Sequence, residues 1–342
     1  MERSRTMNTV KQEIGAQLFN LSNGDIDVVL CNYGCTIVSI SVPDKDGQKK
    51  NVVAGFSSTE EYKNNPHYLG CTVGRFANRI AFGKFKIDDK VYQLECNNGL
   101  NHLHGGIDAF HKQIWEAEKI SNGLEFHYLS KDGEEGYPGN LNVTVKYSFA
   151  DGDKLVIDYA AATDKPTIIS LTNHSYFNRT GFESPTICNH FLKIYASHYT
   201  VKNGNNVSSG EIESVSNTPY DFTKLKLIGK HIDLLAADMG YDINYVLDNK
   251  SPVPALAAEL YEPESGRLLK IFTDQPGLQL YTANWWDGSF FGQQNKPYNQ
   301  HGAVALETQA FPDSPNHSNF PNTITRPGDV YRSQTIYQFS LR

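Results

Sequence analysis

The chain has 342 residues and a net charge of −7, with Lys and Arg spread along its length rather than gathered into the basic stripe that nucleic-acid binding needs. The Met1–Asn20 segment lacks an apolar stretch and no later stretch is long and apolar enough to span a bilayer, which reads as a soluble, cytoplasmic protein with no membrane partner. Five cysteines, Cys31, Cys35, Cys71, Cys96 and Cys188, lack C-x-x-C spacing and read as buried free thiols.

Residues 1–14 read as a poorly ordered N-terminal extension of a single domain spanning 1–342. From there on the hydrophobic period is two, with short Val, Ile, Tyr, Phe and Thr runs separated by Gly, Asp, Asn and Pro. The pattern predicts an all-β protein, a large antiparallel β-sandwich with a few short helices. Ser57–Glu60 fits a capping box ahead of a short helical turn. In Gly74–Ile80, Arg75, Asn78 and Arg79 interrupt apolar residues; a guanidinium suits a sugar hydroxyl or ring oxygen, and equally suits a structural ion pair. Phe85–Ile87 and Val91–Leu94 read as a hairpin. In Asn101–Gly106, two glycines let backbone approach a ligand beside His104. The spacing of His102 and His104 also raises a metal site, but zinc needs three or four ligands and no further one stands at a recognisable spacing.

Leu141–Phe149 and Leu155–Ala161 flank an Asp-Gly turn, a strong hairpin signal. Along Thr167–His174, alternation puts Ile169 and Leu171 on one face and Ser170, Thr172 and His174 on the polar one. Asn203–Asn217 and Phe290–Gln300 read as surface loops, and Ile232–Ala237 as one or two helical turns. Ala255–Tyr261 and Arg267–Phe272 flank a turn. Near Gly240–Tyr245 and Gly277–Trp285 the chain carries Asp242, Gln279 and Tyr281, the last two sharing a face opposite Leu278 and Leu280. In Val304–Gln309, Glu307 shares its face with Ala303, Ala305 and Gln309. A carboxylate beside small residues in a strand is expected to be desolvated with room above it for a ligand.

The segments G-R-F-A-N-R-I, N-H-L-H-G-G, D-G-E-E-G-Y-P-G, L-T-N-H-S-Y-F-N, G-Y-D, G-L-Q-L-Y-T-A-N-W and A-L-E-T-Q-A-F-P-D-S-P-N follow one another in this order. On these motifs the sequence resembles the aldose 1-epimerase (galactose mutarotase) family from about Gly15 to Leu341. The resemblance implies a β-supersandwich that uses neither metal nor organic cofactor and acts on a small-molecule sugar. It further implies that Glu307 is the general base, His174 the general acid, and Asn78, Arg79, His104, Asp242 and Gln279 sugar-binding residues. One departure is visible: Ile243 stands where the family often has a histidine after the G-Y-D aspartate.

The expected reaction interconverts the α and β anomers of a free aldohexose, galactose or glucose. Glu307 takes the C1 hydroxyl proton while His174, held cationic by the pocket's carboxylates, protonates the ring oxygen from the opposite side. Competing readings are a glycoside hydrolase using Glu307 with Asp242, a non-catalytic sugar-binding module, and a hexose-6-phosphate epimerase using Arg75 and Arg79. The oligomeric state is expected to be monomer or homodimer.

Overall fold

The computed structural model describes residues 15–249 and 251–342, so the N-terminal extension expected at 1–14 lies outside the described residues. The β-rich, turn-punctuated sequence forms two large sheets. The nine-stranded sheet runs in the order Glu116–Ile120, Gly123–Ser130, Leu141–Ala150, Lys154–Thr163, Val330–Leu341, Arg267–Thr273, Ala255–Tyr261, Phe191–Ile194 and Lys226–Leu227. The six-stranded sheet runs Tyr176–Phe177, Val304–Gln309, Gly277–Tyr281, Asp242–Val246, His198–Lys202 and Ser208–Ser214. Neighbours in both sheets pair antiparallel.

One apolar cluster joins the layers. Val145, Tyr147, Leu155 and Ile157 come from the large sheet, Ile243, Leu278, Leu280, Val304 and Leu306 from the smaller one, and Leu30, Ile37 and Ile40 from a four-stranded N-terminal sheet. Burying each such side chain contributes about 1.5–3 kcal/mol. The opposite face of the six-stranded sheet is thereby left to carry Asp242, Gln279 and Glu307.

The three expected hairpins form, at Leu141–Thr163, Lys84–Gln93 and Ala255–Thr273. Among the described residues the helical turns are 3₁₀, three or four residues each. The turn expected after Ser57–Glu60 is Glu61–Asn64, but the capping box does not form: Ser58 N–H and Oγ both donate to Glu61 Oε2, at 2.9 and 2.8 Å, and no side chain caps the turn. Ile232–Ala237 shortens to Ile232–Leu234. The expected loop Asn203–Asn217 contains the strand Ser208–Ser214. Its polar composition hid it, because it is an exposed edge strand with no buried face to impose alternation. Thr167–His174 is not one strand but two short pieces, Thr167–Ile168 and Thr172–Asn173, paired to Ile324–Thr325 and Thr72–Val73. Ile169 and Leu171 still enter the main core. The five cysteines are free, but Cys96 is exposed and Cys188 half-buried, so the buried reading holds for Cys31, Cys35 and Cys71. No helix among the described residues is long and apolar enough to cross a membrane.

Candidate active site

Three adjacent strands build the floor of one cavity. Asn244 stands opposite Gln279, and Gln279 opposite Glu307, so the period-two pleat lines up polar side chains across Asp242–Val246, Gly277–Tyr281 and Val304–Gln309. His174 reaches the same cavity from the end of Thr172–Asn173, where its N–H donates to the Cys71 carbonyl (2.9 Å) and its own carbonyl accepts from Gly70 N–H (2.9 Å). The cavity, about 270 Å³, is lined by all seven expected residues: Asn78, Arg79, His104, His174, Asp242, Gln279 and Glu307. That volume suits one small polar ligand.

His174 Nε2 lies 3.5 Å from Glu307 Oε1, both side chains being almost completely enclosed. The two groups therefore sit side by side, not on opposite sides of a sugar. Adjacency suits anomer chemistry, since the C1 hydroxyl oxygen and the ring oxygen are bonded to the same carbon. The Tyr176 ring stacks on the imidazole, centroids 4.7 Å apart, and fixes its plane. Burial, with the nearby Asp242 charge adding to it, pushes Glu307 up to about 8, while Arg79 opposes the shift. Burial pushes His174 down to about 3. Both shifts run against the expectation of a cationic His174: desolvation outweighs the neighbouring carboxylates, favouring the neutral imidazole and the protonated carboxyl group.

Asp242 accepts from Gln279 Nε2 at 2.6 Å and lies 3.5 Å from Lys202 Nζ and 4.0 Å from Arg79 Nη1. Arg79 is itself aimed by Asn98, whose Oδ1 accepts from Nε at 3.0 Å. His104 Nδ1 accepts the Asn78 N–H at 3.2 Å. In the neutral ring the hydrogen then falls on Nε2, making it a donor; burial holds this ring well below the usual histidine range. His174 Nδ1, Gln279 Oε1 and Glu307 Oε2 are buried without a hydrogen-bond partner among the described residues. Such atoms are costly unless a ligand or water satisfies them.

His104, His174 and Glu307 offer ligand atoms within 4.8 Å of one another, the residue types of a catalytic zinc site. The donor set does not fit: with Nδ1 accepting from Asn78 and Nε2 protonated, His104 has no lone pair to give. His102 is no ligand either, since its Nδ1 meets the Glu95 carbonyl at 2.7 Å and its Nε2 the Tyr137 hydroxyl at 2.8 Å.

Arg75 is not at the cavity. It is buried, donating to Ser130 Oγ (2.8 Å) and to the Ser130 (3.0 Å), Lys131 (2.9 Å) and Pro138 (3.0 Å) carbonyls. Ser130 and Lys131, with Pro138 of the D-G-E-E-G-Y-P-G segment, thus form a structural cradle. We expect Arg75→Leu to destabilise the fold by about 3–5 kcal/mol, because several buried acceptors lose their donor together. Urea denaturation checks this, and kcat of the folded fraction should stay near wild type. Gly105 and Gly106 serve a close approach, but to protein. A Cβ at Gly105 would fall 1.8 Å from the Gly74 carbonyl oxygen, and one at Gly106 2.0 Å from the Glu135 carboxylate. Ile243 packs into the main core and is not among the residues lining the cavity.

Residues missed from sequence are Pro66, His67, Tyr68, Asn98, Leu103 and Tyr176 on the lining, with Lys202 behind Asp242. Tyr176 stood inside a quoted motif two residues from His174, a usable signal. His67 and Tyr68 lie in an irregular loop and offered none. Tyr281 and Trp285, both within the G-L-Q-L-Y-T-A-N-W segment, also line the cavity.

Residues 17–338 match the family described as aldose 1-epimerase. Galactose mutarotase of Bos taurus is 41% identical over 323 residues, covering 94% of each chain. Aldose 1-epimerase of Escherichia coli K12 is 35% identical over 326 residues, covering 93% of each. Among solved structures, a GalM/aldose epimerase homologue from C. elegans superposes with a TM-score of 0.89 at 30% identity, covering 96% of this chain and 99% of that one. With these matches over nearly its whole length, the chain belongs to the aldose 1-epimerase family.

Proposed function

We propose that the cavity interconverts the α and β anomers of a free aldohexose, galactose or glucose, with Glu307 and His174 as the proton-transfer pair and Asn78, Arg79, His104, Asp242 and Gln279 holding the sugar. The observation that carries this reading is the enclosed His174–Glu307 contact of 3.5 Å at the bottom of a sugar-sized, donor-rich cavity. Sugar hydroxyls donating to the Glu307 carboxylate favour its ionised form, so binding moves the shared proton onto His174. Glu307 then takes the C1 hydroxyl proton as His174 protonates the ring oxygen. The ring opens, C1–C2 rotates, and the reverse transfers close the ring on the other face. Arg79 and the His104 Nε2–H are donors for the sugar's oxygens. A cytoplasmic setting belongs to this reading, supported by five cysteines present as free thiols.

The competing readings fit less well. A glycosidase needs Glu307 and Asp242 to divide acid and nucleophile or base roles across one bond. Asp242 is instead engaged by Gln279, Lys202 and Arg79, and the titratable group nearest Glu307 is an imidazole. A phosphosugar epimerase loses Arg75 from its basic cluster. A binding module has no use for a matched acid and base.

Polarimetry on freshly dissolved anomers of galactose, glucose and other aldoses tests the reaction. Accelerated approach to the equilibrium rotation is expected, and no acceleration with any of them ends the reading. The pH profile tests the pair. Between about 3 and about 8 it holds one transferable proton. Above about 8 Glu307 loses that proton and no acid remains; below about 3 His174 gains a second and no base remains. Accordingly kcat/KM should be flat through neutrality and fall on the alkaline side near pH 8. A limb near pH 6.5, the value of an ordinary histidine, would contradict the arrangement.

A further inference from the structure

Behind one wall of the anomer site lies a charge network that is largely enclosed. The strand His198–Lys202 runs antiparallel beside Asp242–Val246, so its last residue lies against the first residue of its neighbour. There Lys202 Nζ stands 2.9 Å from Asp238 Oδ2 and 3.5 Å from Asp242 Oδ2. The side chains of Lys202, Asp238 and Asp242 are 17%, 24% and 13% exposed, so salt screens them far less than a surface pair. Lys202 is not on the cavity lining, whereas Asp242 is. Asp238 belongs to the turn after Leu235, and its backbone is held without Lys202: its N–H donates to the Leu235 carbonyl (3.2 Å) and its own carbonyl accepts from Asn284 Nδ2 (2.8 Å).

The two oxygens of Asp242 face different partners. Oδ1 accepts from Gln279 Nε2 at 2.6 Å, while Oδ2 faces Lys202 and, at 4.0 Å, Arg79 Nη1. The last distance is too long for a hydrogen bond, so that end of the Arg79 guanidinium keeps its donors for a ligand. With Lys202 gone, Arg79 is the cation left to Oδ2, and the carboxylate would draw it away from the sugar. The Asp242 charge also reaches Glu307, where it disfavours the ionised form. We propose that Lys202 is a positioning residue for the anomer reaction: shared between Asp238 and Asp242, its ammonium group fixes the Asp242 carboxylate for the sugar, leaves Arg79 free to donate and weakens the field that Asp242 places on Glu307. The proposal rests on the mutarotase reading above. Asp238 acts in the opposite sense, because whatever it takes of Lys202 is withdrawn from Asp242.

Polarimetry of full-length variants across pH tests this. Lys202→Met is expected to raise KM about tenfold, with kcat within about threefold of wild type. It also removes a positive charge, so Glu307 ionises less readily and the alkaline limb of kcat/KM moves up by about half a pH unit. Asp238→Asn leaves Lys202 to Asp242 alone, so the limb moves down by a similar amount and KM does not rise. Lys202→Arg keeps the charge and should return KM to within about threefold of wild type. The other titratable groups around Glu307, which are His174, His104, Arg79, Cys71, Tyr176 and Tyr337, are the same in every variant, as is Tyr220 beside the two aspartates. A merely structural role predicts losses throughout and no opposed shifts. Should Lys202→Met not fold, the direction of the Asp238→Asn limb decides. An unchanged KM in folded Lys202→Met, limbs that move the same way, or an Asp238→Asn limb that stays or rises overturns the inference while the mutarotase reading stands. No acceleration by the wild-type protein ends that reading, and this inference with it.

Discussion

Glu307→Gln is expected to lower kcat for mutarotation by about 10³- to 10⁴-fold, the upper part of the range for removing one positioned acid or base. The amide keeps the shape and hydrogen-bonding capacity of the carboxyl group but cannot take a proton from the C1 hydroxyl. KM should change far less, because Arg79, His104, Asp242 and Gln279 still hold the sugar. Stability should move the other way. Glu307 is raised in the fold from an ordinary 4.5 to about 8, so its neutral form favours folding fully below pH 4.5 and this contribution is lost as pH rises through 8. Gln stays neutral at every pH, so the variant should match wild type near pH 4.5 and melt at a higher temperature at pH 8, by on the order of 1 kcal/mol for each pH unit crossed. A folded variant with near-normal polarimetric rates would remove Glu307 from the chemistry.

His174→Asn is expected to reduce kcat by about 10²- to 10⁴-fold. Asparagine can hydrogen-bond the ring oxygen but cannot deliver a proton as the C1–O bond to the ring breaks. The variant also loses the partner of the Tyr176 ring, at a cost of about 1 kcal/mol, so activity must be normalised to folded protein. Since the two groups exchange one proton at 3.5 Å, they act as a unit. The double variant should be scarcely slower than the slower single one, and multiplicative losses would instead show two independent contributions.

Strand content and the hairpins were legible because Asp-Gly turns and period-two runs are local physics: a pleat alternates its faces whatever lies beyond it. The same rule reads Glu307 and Gln279 onto the face opposite Leu278, Leu280, Val304 and Leu306, where they stand. It fails at Ser208–Ser214, an edge strand without a buried side, and through Thr167–His174, where the chain changes partners every few residues.

The sequence by itself therefore determined the all-β class, the alternation within single strands that sets Gln279 and Glu307 opposite their apolar neighbours, and the ordered motifs that identify the family, whereas the pairing that brings Asp242, Gln279 and Glu307 to one sheet face is tertiary. Why Arg79 and His104 rather than their similar neighbours reach the cavity, a choice the family resemblance implied without a physical reason, was shown only in three dimensions. Arg75 finds its acceptors 55 to 63 positions away, leaving Arg79 for the cavity, and His102 meets Tyr137 35 positions away, leaving His104. The direction of the His174 and Glu307 shifts was decided there too, because desolvation depends on how completely distant segments close over a group, which residue spacing does not encode.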